Sequence, residues 1–118
     1  MLNTVSLVGR ITAEPELKHT QNGNSVCSFT IAVQRDGRDQ PTDFLDCVAW
    51  RQTAEFISNY IHKGNLLSVS GSIQTRTYED REGKKRKVVE ILANKVNSLE
   101  RREAPVTDEP VDDSELPF

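Results

Sequence analysis

Residues 43–64 read DFLDCVAWRQTAEFISNYIHKG, and the spacing of the apolar residues changes partway along. Up to Trp50 the pattern alternates. Leu45, Cys47 and Ala49 fall on one side and Phe44, Asp46, Val48 and Trp50 on the other, the mark of a strand with one buried face. From Thr53 onward Phe56, Ile57, Tyr60 and Ile61 line one stripe of a helix. Thr53 is its expected N-cap and Gly64 its C-terminal stop. A strand therefore runs almost directly into a helix.

Alternation governs the flanks as well. In NTVSLVGRIT, residues 3–12, Val5, Leu7, Gly9 and Ile11 share a face; in VCSFTIAVQR, residues 26–35, Cys27, Phe29, Ile31 and Val33 do. Between them AEPELKHTQNGN carries Pro15 and the Asn22-Gly23 turn signal and reads as a loop. After the helix, LLSVSGSIQTRTYED and KVVEILANKVNSLE give two more strands around the loop REGKKR, with Gly71 predicting a bulge or sharp bend. The order is three strands, one helix, two strands. A parallel α/β sheet needs a helix after nearly every strand and is excluded. The expected class is all-β with one helix, a five-stranded OB-fold barrel, followed by a disordered acidic C-terminal tail without periodicity.

The chain has 118 residues, 36% apolar and 28% charged, which suits one domain over 1–102 with a tail over 103–118. Residues 1–102 hold all 15 Lys and Arg against 12 acids, whereas 103–118 hold 6 acids and no base. The body is thus mildly basic and the tail strongly acidic, suggesting two different partners or a tail that competes for the body's ligand. No run matches a membrane span, and MLNTVSLVGR reads as a strand rather than a leader, so a cytoplasmic protein with no membrane role is expected. Cys27 and Cys47 read as buried free thiols of a reducing compartment, and His19 and His62 stand apart. Neither a metal nor a cofactor is expected.

No Gly-rich phosphate loop, nucleophile elbow or HExxH segment is present, and no enzyme is expected. The nearest catalytic alternative is a small barrel nuclease that gathers metal with loop carboxylates. What the sequence does offer is a face. Phe44 and Trp50 lie on the side of their strand away from the small residues, beside the Gln74, Arg76 and Tyr78 face of a later strand. Exposed rings flanked by arginine form a platform on which any base stacks. The cations Arg10, Arg35, Arg51, Arg76, Lys84, Lys85, Arg86 and Lys87 are candidate phosphate contacts. Trp50 and Phe44 also read as core-edge residues, and the Lys84–Lys87 run as a solvated hairpin tip. Asp46 is an awkward neighbour for phosphate on such a platform.

Five segments, VSLVGRITAEPEL, NGNSVCSFTIAV, DFLDCVAWRQTAEFISNYIHKG, LLSVSGSIQTRTYED and the terminal DDSELPF, resemble in this order the bacterial single-stranded DNA-binding protein family. The resemblance implies an OB fold that coats single-stranded DNA without sequence preference, as a homotetramer in the bacterial nucleoid. It puts base-stacking rings at Phe44, Trp50 and Tyr78 and makes the hairpin around 78–88 an arm for DNA and tetramer contacts. It also implies that the tip, Asp112, Asp113, Glu115, Leu116, Pro117 and Phe118, recruits replication, recombination and repair proteins. A pocket would take the Phe118 ring and a basic rim the terminal carboxylate. A related expectation is that the acidic tail lies over the basic face until DNA displaces it. One departure stands out: the family often carries an aromatic near the position of Gly37, and QRDGRDQ has none, which shifts weight to Arg35 and Arg38. An RNA-binding OB module and a protein adaptor that has lost DNA binding are the competing readings.

Overall fold

The computed structural model describes residues 1–100. It contains β1 (Val5–Ile11), β2 (Glu16–His19), β3 (Ser25–Gln34), β4 (Thr42–Trp50), α1 (Arg51–Tyr60), β5 (Leu66–Glu79) and β6 (Lys85–Ser98). The pairings close a ring: β1 with β5, β5 with β6, β6 with β4, β4 with β3, and β3 back to β1. Every pair is antiparallel except β4 with β6. This is the closed Greek-key barrel expected from the sequence, with α1 bridging its third and fourth principal strands. The acidic tail and the tip lie outside the described residues.

One element was not foreseen. The segment read as a loop after the first strand contains β2, which pairs with β3 from Glu16↔Ser28 to His19↔Ser25. Ile11 also pairs with β3, and the Thr12 N–H donates to the Thr30 carbonyl at 3.0 Å, so β1 and β2 are two halves of one bent strand. Pro15 cannot donate to a ladder and breaks it at the bend. The barrel keeps five principal strands, the first of them interrupted.

Alternation places the core as expected. Ile11, Cys27, Ile31, Leu67 and Val69 are fully buried inside the ring, and Ile57 and Ile61 bring the helix side of the core to it. Burying each large aliphatic side chain contributes about 1.5–3 kcal/mol, and these together hold the barrel shut. Cys27 and Cys47 are both buried and free. Burial pushes the Cys27 thiol up to about 11 and the Cys47 thiol up to about 12, so both stay protonated.

The helix begins earlier than its sequence suggests. Its N-cap is Trp50, whose side chain makes no capping bond. Thr53, the expected cap, sits inside the first turn and donates its hydroxyl to the Asn94 carbonyl at 3.3 Å, tying α1 to β6. Gly64 follows the helix at φ +88°, and its N–H meets the Ile11 carbonyl at 2.8 Å. Gly71 does mark a bulge. Ser70 faces Lys95 and Gly71 faces Ala93, so Asn94 is the extra residue on β6. A Cβ on Gly71 would stand 1.8 Å from the Leu92 carbonyl oxygen, so the close approach admits only glycine. Beyond Ile73 and Ile91, a little past the bulge, β5 and β6 leave the barrel as an exposed two-stranded arm.

Candidate nucleic-acid interface

The outer surface of β4 is where the sequence places its aromatics, and the register shows what surrounds them. Across β3–β4, Ala32 faces Phe44, Thr30 faces Asp46, Ser28 faces Val48 and Val26 faces Trp50. Val48 faces Leu92 on β6, and Leu92 faces Ser72 on β5. Strand alternation then carries the same face along the arm through Gln74, Arg76 and Tyr78, opposite Glu90, Val88 and Arg86. One continuous outer face therefore spans β3, β4, β6 and β5. Phe44 is 67% exposed and Trp50 43%, which removes the core reading for both, and Tyr78 is 46% exposed. An exposed ring on a sheet that could have buried it is an unused contact surface.

Two grooves cross this face. One, of about 370 Å³, is bordered by Trp50, Arg51, Asn24, Leu92 and Asn94. The other, of about 320 Å³, lies between the β1–β2 bend and the arm, with Thr30, Asp46, Arg76, Val88 and Glu90 on its walls.

The cations divide into two groups. Arg10 donates to the Gly64 carbonyl at 2.9 Å and pairs with Glu100. Arg35 grips Asp43 with two bonds, Nε to Oδ2 at 2.9 Å and Nη2 to Oδ1 at 3.0 Å. That fork holds the Asp43 carboxyl below its ordinary value and raises Arg35 in turn. Arg76 meets Glu90 at 3.3 Å and Arg86 meets Asp80 at 3.0 Å. Among the described residues, Arg51, Lys84, Lys85 and Lys87 form no ion pair. Arg51 opens α1 in the left-handed region at φ 55°, a conformation that costs a residue with a side chain about 1–2 kcal/mol.

The Lys84–Lys87 run is not a loop tip as a whole. Lys84 closes the turn, and Lys85, Arg86 and Lys87 begin β6. The turn is organised by Asp80, whose Oδ1 accepts the N–H groups of Glu82 and Lys84 at 2.9 Å each. The Asp80 carboxyl is held below its usual range first by the Lys84 N–H, then by Arg86 and the Glu82 N–H, against an opposing effect of burial. In the loop between β3 and β4, Gly37 sits at φ +110°. A ring at that position would need the loop between β3 and β4 to take another path.

The exposure of the rings agrees with the sequence pattern, but the carboxylates that hold four of the candidate cations were not expected from it. The available signal was cross-strand: Glu90 faces Gln74, two residues from Arg76, and Arg35 and Asp43 flank one connection. The expected tip residues, Asp112 to Phe118, lie outside the described part.

A family model described as the single-strand binding protein family matches residues 2–99. A single-stranded DNA-binding protein of Halalkalibacterium halodurans is 48% identical over 106 residues, 86% of this chain and 63% of that protein. One from Bacillus cereus is 47% identical over 106 residues, 86% of this chain and 62% of its own length. Single-stranded DNA-binding protein A of Bacillus subtilis is 46% identical over 104 residues, 85% and 60% of the two chains. The chain thus spans about three fifths of the length of these relatives.

Proposed function

The chain belongs to the single-strand binding protein family, and from that premise we propose that it binds and protects single-stranded DNA without catalysing a reaction. The observation that carries this reading is the set of three exposed rings, Phe44, Trp50 and Tyr78, on one continuous sheet face. Bases stack on them with about 1–3 kcal/mol each and no need for sequence readout. Arg51, Lys84, Lys85 and Lys87 are free to meet phosphates at once, while Arg10, Arg35, Arg76 and Arg86 do so by exchanging a carboxylate for a phosphate. One OB fold covers only a short length of strand, which favours several copies acting together, and a homotetramer fits that need. The tip Asp112, Asp113, Glu115, Leu116, Pro117 and Phe118 is the second element of the proposal: a ring and a terminal carboxylate that dock replication, recombination and repair proteins in the cytoplasm.

Trp50 is the only tryptophan, so its emission reports directly on the platform. Oligo-dT should quench it and added salt should restore it; flat emission with no complex at low salt defeats the proposal. A matched oligo-U titration separates DNA from RNA binding, and the mass of the assembly with and without oligo-dT tests the tetramer. Removing residues 112–118 should spare oligo-dT binding and abolish capture of a purified replication or repair protein.

A further inference from the structure

Asp46 is the feature of this face that phosphate binding leaves unexplained. It stands exposed in the middle of the stacking strand, two residues from Phe44 and four from Trp50, on the same side as both. The other carboxylates bordering its groove are occupied. Glu90 meets Arg76 at 3.3 Å, Glu16 meets Lys18 at 3.9 Å, and Glu14 accepts the Lys63 N–H at 3.0 Å. Asp46 has no cation partner among the described residues. Its hydrogen bond comes from the Thr30 hydroxyl, 2.9 Å from Oδ1, which fixes the carboxylate on the wall of the groove and leaves Oδ2 to accept from a ligand.

Two residues along a strand is about 6.8 Å, so a base lying on the Phe44 ring brings one edge to Asp46. A phosphate at that spot meets like charge. A base edge meets an acceptor that cannot donate, because an ionised carboxylate has only lone pairs to offer. The 4-amino group of cytosine and the 6-amino group of adenine donate to it; thymine and uracil present a carbonyl oxygen at the same position. We propose that Asp46 is a specificity residue, biasing the base stacked on Phe44 toward bases that turn an exocyclic amino group to it, as cytosine does and uracil does not. This rests on the single-stranded DNA reading and refines it: stacking carries the affinity, and Asp46 tilts base composition at one position per subunit.

The test compares deoxycytidine and deoxyuridine oligomers of equal length, which stack alike and differ at the position-4 and N3 edge. Each competes against a labelled oligo-dT, followed by anisotropy at mildly alkaline pH, for the full chain and for Asp46→Asn. That substitution keeps an oxygen for the Thr30 hydroxyl, yet the new amide turns to suit either base. The dC/dU affinity ratio should therefore be about three- to tenfold higher in the native protein than in the variant, the size of a single edge contact. Asp46→Ser, which removes the reader altogether, should reproduce the loss. A ratio that moves by less than about threefold while both oligomers bind overturns the inference and leaves the DNA-binding reading intact. If neither competitor nor the labelled oligo-dT binds, both readings fall together; if oligo-dT alone binds, only the Asp46 inference falls.

Discussion

Phe44→Ala is the cleanest perturbation of the platform, because the ring is 67% exposed and its loss asks little of the fold. About a third of the side chain is buried, so the hydrophobic loss is about 0.5–1 kcal/mol, and the weaker strand preference of alanine adds a few tenths. Against a typical stability of about 5–15 kcal/mol the barrel remains folded. Binding should suffer far more. One stacked base contributes about 1–3 kcal/mol, which corresponds to about 5- to 150-fold in affinity for oligo-dT. Quenching of Trp50 provides the assay, repeated at several salt concentrations. A stacking ring releases no counterions, so the plot of log affinity against log salt should drop without changing slope. Phe44→Leu supplies apolar area without a π-face and should bind nearly as poorly as the alanine variant. Affinity within twofold of the native protein, a changed slope, or full recovery with leucine would each refute stacking at this position.

Replacing Lys84, Lys85 and Lys87 together with alanine should reduce the magnitude of that salt slope by about 2, at about 0.7 for each phosphate of a single strand that is no longer neutralised, with the largest fall in affinity at low salt. An unchanged slope in the same titration would place the phosphate track elsewhere. Gly71→Val puts a Cβ where the Leu92 carbonyl oxygen already stands, 1.8 Å away, and should cost about 3 kcal/mol or more in urea unfolding by opening the β5–β6 bulge. A cost under about 1 kcal/mol would show that the bulge relaxes freely. The Glu14 carboxyl is held below its ordinary 4.5, first by the Lys63 N–H and then by His62. A depressed folded value means a contribution complete above the unfolded value and lost as pH falls through the folded one. Native and Glu14→Gln unfolding curves should therefore differ at neutral pH and converge in acid, once pH has fallen through the lowered folded value; a gap persisting in strong acid would contradict the assignment.

Strand alternation was legible because each principal strand buries one face. Val5–Ile11, Ser25–Gln34 and Thr42–Trp50 follow the pattern closely, and Gly71 announced its bulge. What escaped the sequence were features set by tertiary contact. β2 is four residues long, with only Leu17 half-buried, too short for alternation to stand out. Its pairing is imposed by β3. Thr53 has the chemistry of a cap, but the chain enters the helix through the left-handed Arg51, and the hydroxyl is drawn to Asn94 instead. The outward placement of Phe44 and Trp50 was readable from one strand alone: the small residues Cys47 and Ala49 had to face inward, which turned the two rings out. The ion pairs were not readable, because each needs the register between two strands or the path of a loop.

Those ion pairs change how the basic face works. Counting cations suggests a surface that attracts phosphate with eight charges, yet Arg10, Arg35, Arg76 and Arg86 each already hold a carboxylate. Exposed pairs of this kind are worth only about 0–1 kcal/mol, so a phosphate can displace the carboxylate at small cost. The displaced carboxylate remains on the face, however, and its charge offsets part of what the phosphate gains. Each such exchange trades one anion for another and releases less counterion than a bare cation does. On the proposed DNA-binding reading, long-range attraction and the salt dependence should therefore fall mainly to Arg51 and the arm lysines, with the paired arginines guiding where the backbone passes. The same reading leaves most of the affinity to the rings, which is what the Phe44→Ala titration measures.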